Sequence, residues 1–231
     1  MGPAAQLVSI PLEGAAPVSG LLQCPAQATA CYVMAHGAGA GMRHAFMAEM
    51  ANALAAQGIA TLRFQFPSME QGSRRPDNPA VAHAAVRAAV AAASRLLPGA
   101  ALFAGGKSFG GRMTSQAQAA APLPGVHALV FVGFPLHPSG KPSTDRARHL
   151  DAVELPMLFL QGTRDLLADM TLVRGVVAAL GTRATLEVVE QADHAFHIPA
   201  RSGGRDAEVI VGLSRSIARW IGRAMARADQ A

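Results

Sequence analysis

Apolar and polar positions along the chain follow two periods in alternation. Ala30 to Ala35 is a short apolar run that stops at His36-Gly37. Phe46, Met50 and Leu54 recur at i, i+4 and i+8, which predicts a helix over 46–57, with Gly58 placed to end it. Ile59 to Phe66 alternates as a strand does and stops at Pro67. Residues 68–78 are polar and rich in turn formers. Pro79 then suits the first turn of an Ala-rich helix running to about Leu97. A strand over 101–105 and a helix to about Ala120 follow. In the second half, Val126 to Phe134 and Pro156 to Gln161 are continuous apolar runs, as in strands buried on both faces. A helix near 170–180, a strand over 185–189 and an amphipathic helix over 206–228 complete the pattern. Near the N-terminus, Pro11 to Cys31 reads as an antiparallel pair turning at Pro25–Thr29.

Strands separated by helical stretches of this length predict βαβ units and a mainly parallel central sheet, an α/β fold with helices on both faces. No repeat, low-complexity tract or linker divides the chain, so residues 1–231 read as one domain. The segment between the strands at 126–134 and 156–161 has room for one short helix near 144–153. It has none for a cap domain.

Composition sharpens this picture. Hydrophobic residues make up 51% of the chain and aromatics only 5%, so Ala, Leu and Val must fill a large core. The net charge of +5 is carried almost wholly by arginine, lysine occurring only at positions 107 and 141. The arginines are scattered singly except for Arg74-Arg75, which is no footprint for nucleic acid. Cys24 and Cys31 have no zinc-ligand spacing, so no metal is expected, and two reduced thiols of a cytoplasmic protein are the simplest reading. No basic-then-apolar leader and no run long enough to span a bilayer is evident. The pattern does not define an oligomeric state.

Chemistry enters at Gly106-Lys-Ser-Phe-Gly110. A serine between glycines, after a strand and before a helix, fits the G-x-S-x-G nucleophile elbow. A helix N-cap serine does not require glycines on both sides. The tail of a phosphate-binding P-loop is a poorer fit, because its first glycine should stand where Ala101 stands and residues 101–104 read as strand. Lys107 is then either a solvated side chain or one that supports the serine's surroundings. A serine hydroxyl needs a base and a group to orient that base. His194 follows one later strand and Asp165 follows another, in the order Ser, Asp, His. Asp169 and His197 are the rivals, each further along its loop. Asp193 reads as a turn residue. The oxyanion donors expected are the amide of Phe109, directly after the serine, and that of Ala38 or Gly39 in the turn His36–Gly41, with His36 shaping that turn.

These residues, His36-Gly-Ala-Gly-Ala-Gly-Met42, Gly106–Gly110, Gln161-Gly-Thr-Arg-Asp165 and Asp193-His-Ala-Phe196, resemble the α/β-hydrolase superfamily, and within it the small lidless members near the dienelactone-hydrolase-like branch. The resemblance runs from about residue 7 to 225. It implies an α/β-hydrolase fold without a cap domain, no cofactor, and acyl transfer from a small-molecule ester or thioester to water. Dienelactone hydrolases use a cysteine nucleophile where this chain has Ser108, so their substrate does not carry over. Peptide or lactone cleavage on the same residues, and an inactive hydrolase-like binding or scaffold protein, remain the alternatives. Met42, Phe134, Leu166 and Phe196 are candidates for an acyl pocket. Arg43, Arg74, Arg75 and Arg112 stand in or beside loops expected near the site, where a solubilising rim is the simpler reading and a preference for an anionic substrate the alternative.

Overall fold

The computed structural model describes residues 2–199 and 206–228. Eight strands form one sheet: β1 (Gln6–Leu12), β2 (Ala15–Gln23), β3 (Ala30–Ala35), β4 (Ile59–Phe64), β5 (Ala101–Lys107), β6 (Val126–Val132), β7 (Met157–Gly162) and β8 (Ala184–Val189). Their order is β1-β2-β4-β3-β5-β6-β7-β8. From β4 to β8 all neighbours are parallel, and β2 joins β4 antiparallel. This is the mainly parallel α/β sheet that the alternation of periods predicts, in the α/β-hydrolase arrangement that the resemblance implies.

The N-terminal reading needs correction. The antiparallel pair is β1 with β2, and its turn is at Glu13-Gly14, with Gly14 at φ +68°. Residues 25–29 are a connection and not a hairpin, because β4 pairs with β2 and β3 lies beyond it. A long-range pairing overrides a local turn signal there.

Helices cover both faces: α1 (Ala45–Ala55), α2 (Pro67–Glu70), α3 (Pro79–Leu96), α4 (Phe109–Ala120), α5 (Met170–Leu180) and α6 (Asp206–Ala228). The α2 turn lies in the stretch expected to be loop. Asn78 caps α3 through its side chain to the Val81 amide (3.1 Å), and Pro79 occupies the first helical position. One core packs α3, α4 and α5 against the sheet around Phe64, Phe131 and Phe159. The other packs α1 and α6 around Tyr32, Phe103 and Trp220. Central strands buried on both faces explain why β3, β4 and β7 are buried throughout and mainly apolar, with Thr61, Arg63 and Gln161 as buried polar exceptions. The β6–β7 connection holds only a 3₁₀ helix over Asp145–Ala152, so no cap covers the sheet's carboxyl edge. Cys24 and Cys31 are both free, and burial pushes the Cys31 thiol up to about 12.

Strand order reverses direction at β3. The chain leaves it for β4 on one side and later returns to β5 on the other. Such a switch point leaves a crevice at the carboxyl ends of the two strands. The turn after β3 and the turn after β5 both open into it.

Candidate active site

Ser108 stands between β5 and α4 with φ +51° and ψ −116°. A β-carbon is strained in that region, typically by about 1–3 kcal/mol. Its side chain makes no capping bond to α4, so the N-cap reading fails. Close packing holds the turn. A β-carbon on Gly106 would sit 2.1 Å from the Ala35 carbonyl oxygen, and one on Gly110 would sit 2.5 Å from it. The flanking glycines thus let β5 and the start of α4 press against the end of β3.

The structure brings Ser108, His194 and Asp165 into one hydrogen-bonded chain. Ser108 Oγ lies 2.8 Å from His194 Nε2, and His194 Nδ1 lies 2.7 Å from Asp165 Oδ2. A carboxylate only accepts, so Nδ1 carries the proton and Nε2 is left to accept from the serine hydroxyl. Asp165 has a fully buried side chain. Gln161 Nε2 donates to its Oδ2 (2.6 Å) and the Leu167 amide to its Oδ1 (2.8 Å). The rival Asp169 instead caps α5 through the Leu172 amide (3.0 Å). The rival His197 is paired with Asp206 at the surface, which raises its pKa through a hydrogen bond. Asp193 turns the loop, accepting from the amides of Ala195 (2.8 Å) and His197 (2.9 Å).

The turn after β3 is braced from β4 and the residues beyond it. The Phe66 amide donates to Nε2 of His36 (3.2 Å), so Nδ1 of that ring donates to the Gly37 carbonyl (2.7 Å). Burial lowers the His36 pKa, which keeps the ring neutral in this role. Gln65 accepts from the Met42 amide (2.8 Å), and the buried Arg63 donates to the Met42 carbonyl (3.3 Å). The Phe109 amide is at the first position of α4, where no intrahelical acceptor exists. Ala38 borders the cavity beside Ser108; Gly39 lies against the Arg74 carbonyl instead.

That cavity has a volume of about 350 Å³ and is walled by Ala38, Phe46, Met47, Leu167 and Ala195, with Ser108, Lys107 and His194 at its floor. The expected pocket residues lie elsewhere. Met42 is buried behind the turn. Phe134 is in the core, edge-on to Phe131 and Phe159. Phe196 is buried behind Phe46, stacked on it at 6.0 Å. Leu166 is 74% exposed and borders a second depression, lined by Asp165, His194 and Asp193, and not the cavity beside Ser108. Phe46 and Met47 were legible only as members of an apolar helix face, and Leu167 only as a neighbour of Asp165. Arg43, Arg74 and Arg75 are exposed as expected; Arg112 is part-buried with its guanidinium 6.0 Å from the Phe109 ring centre.

Among the described residues, no helix is long and apolar enough to cross a membrane, and no group of three or more His, Cys, Asp or Glu is gathered as a metal would require. A family profile described as an alpha/beta hydrolase domain matches residues 28–222. Similar solved structures include a dienelactone hydrolase from Anabaena variabilis ATCC 29413, at 21% identity and TM-score 0.77 over 96% of this chain and 99% of that one. Another is a lidless serine hydrolase from Xanthomonas campestris, at 21% and 0.70 over 95% and 96%. A third is the esterase domain of a Rhodothermus marinus protein, at 18% and 0.70 over 93% and 98%.

Proposed function

The chain belongs to the alpha/beta hydrolase domain family, and from that membership we propose that it is a serine hydrolase, cleaving a carboxylic ester or thioester through an acyl-Ser108 intermediate. The observation that carries this reading is the continuous Ser108–His194–Asp165 chain built on a strained serine. His194 Nε2 accepts the hydroxyl proton as Oγ attacks the acyl carbon, then passes that proton to the leaving group. Water, deprotonated by the same nitrogen, releases the acid. Asp165 holds the ring in the reactive tautomer and stabilises the imidazolium. The Phe109 amide and a second amide, for which Ala38 is better placed than Gly39, receive the developing oxyanion. Each such donor is worth about 3 kcal/mol in the transition state.

The apolar cavity suits a small or medium acyl group, and the uncapped edge leaves room for a leaving group in solvent. The reading needs no metal or organic cofactor, and the two free thiols, Cys24 and Cys31, support placing the protein in the cytoplasm. Backbone strain at Ser108 favours catalysis over a scaffold role, since a binding protein gains nothing from it. The test is labelling with a fluorophosphonate and peptide mass mapping of wild type and Ser108→Ala. Adduct on Ser108 in the wild type alone is expected. No adduct under conditions that label a control esterase sinks the assignment. A panel of esters, thioesters, lactones and peptides then ranks the acyl chemistries.

A further inference from the structure

Lys107 precedes the serine on β5, yet its side chain turns towards the histidine. Its Nζ donates to the main-chain carbonyl of His194 at 2.5 Å. The ammonium lies 5.8 Å from the ring centre of Phe46 and 5.4 Å from that of Phe196. Gly133, just after β6, leaves the space: a β-carbon there would be 3.0 Å from Nζ and 3.6 Å from His194 Nδ1. Among the described residues no carboxylate forms an ion pair with it. The last residue of β5 and the one after it thus both grip His194, Lys107 by the backbone and Ser108 by the ring.

We propose that Lys107 is a positioning residue, tying the His194 loop to the strand that carries the nucleophile so that the imidazole stays within reach of both Ser108 and Asp165. The proposal rests on the serine-hydrolase reading above. His194 lies beyond the end of β8, where sheet pairing no longer holds the chain, and the tie to β5 adds to the loop's own bonds around Asp193. A charge-assisted bond to a carbonyl is roughly twice as strong as a neutral one. Its strength therefore follows the amine's protonation.

Desolvation in the aromatic slot pulls Lys107 down to about 8, against the opposing effect of Asp165 and Asp193. The titratable groups facing it are Asp165 after β7, Asp193 and His194 after β8, and His44 across the cavity; Phe46 and Gly133 present apolar faces. Below about pH 8 the tie is charged. As pH rises through that value the amine becomes neutral, the tie weakens and activity declines.

The experiment is the pH dependence of kcat and KM on one short-chain ester for wild type, Lys107→Met and Lys107→Arg, with Ser108→Ala as control. It is paired with the low-field proton resonance of the His194 Nδ1–H. For Lys107→Met we expect kcat to fall about ten- to hundredfold with KM within about threefold, loss of the alkaline decline near pH 8, and a broadened resonance. Lys107→Arg, charged at every accessible pH, should carry the activity plateau above pH 8. The proposal is overturned by a Met variant within twofold of wild type, by a change in KM alone, or by a lowered kcat with unaltered pH profile and resonance. Should the Met variant not fold, an unmoved alkaline limb in Lys107→Arg overturns it. A Ser108→Ala enzyme as active as wild type refutes the serine reading instead, while the resonance still reports whether Lys107 holds His194.

Discussion

At the scale of single residues, two aspartates four positions apart do different work. Asp165 is buried against His194, Gln161 and the Leu167 amide. Asp169 is exposed and caps α5. Asp165→Asn should keep the fold but offer the ring an amide, favouring the wrong tautomer, so kcat should drop by about 10⁴-fold. Asp169→Ala should leave kcat within a few-fold and cost about 1 kcal/mol of stability, the usual loss for an N-cap. Steady-state kinetics beside urea unfolding separates the two; the opposite pattern reverses the assignment. The order Ser, Asp, His was legible in the chain because each residue follows its own apolar run. Which aspartate faces the histidine was a matter of loop geometry, and proximity to the strand end indicated the one that does. Lys107 was invisible as a partner of His194, since 87 positions separate them.

At the scale of elements, the β5–α4 junction is written in its glycines. Gly106 and Gly110 are required by contact, with the Ala35 carbonyl occupying the space of a side chain at both. Gly106→Ala or Gly110→Ala should therefore cost more than about 3 kcal/mol or prevent folding, since backbone and not a flexible side chain would have to move. Chemical denaturation is the measurement, and a loss under 1 kcal/mol at either position would show that β3 can retreat. Helices with clear caps, such as α3 after Asn78-Pro79, agree with their sequence signals to within a residue or two. The hairpin does not. Pro25–Thr29 carries turn residues, but Glu13-Gly14 makes the reversal. Turn chemistry shows where a chain can bend and not which strands meet afterwards. The same limit hid the cavity wall: an apolar helix face does not reveal that Phe46 and Met47 border a cavity while Met50 and Leu54 are in the core.

At the scale of the whole molecule, stability carries a titration outside the proposed site. His149, in the 3₁₀ helix after β6, bonds Ser115 of α4 at 2.7 Å. Burial, then the nearby Arg112 and His83, push it down to about 4. An unfolded histidine titrates near about 6.5. Between those values the unfolded chain holds more protons than the folded one, so stability is complete above about 6.5 and falls as pH drops towards 4. Unfolding free energies measured at pH 7 and pH 5 should show that fall. His149→Gln, which does not titrate but can still hydrogen-bond Ser115, should reduce it; an equal fall in both proteins would assign the effect elsewhere.

By itself the sequence determined the class of fold, the strand that carries Ser108, the strands after which Asp165 and His194 stand, and the lack of a cap, because periodicity and spacing are local properties of a chain. Only the tertiary structure decided that β3 lies between β4 and β5, that the β3 and β5 turns share one crevice, that Phe46, Met47 and Leu167 wall it, and that Lys107 reaches His194. Those facts depend on which distant segments pack together. That choice is made by the burial of both sheet faces at once, which no window along the sequence contains.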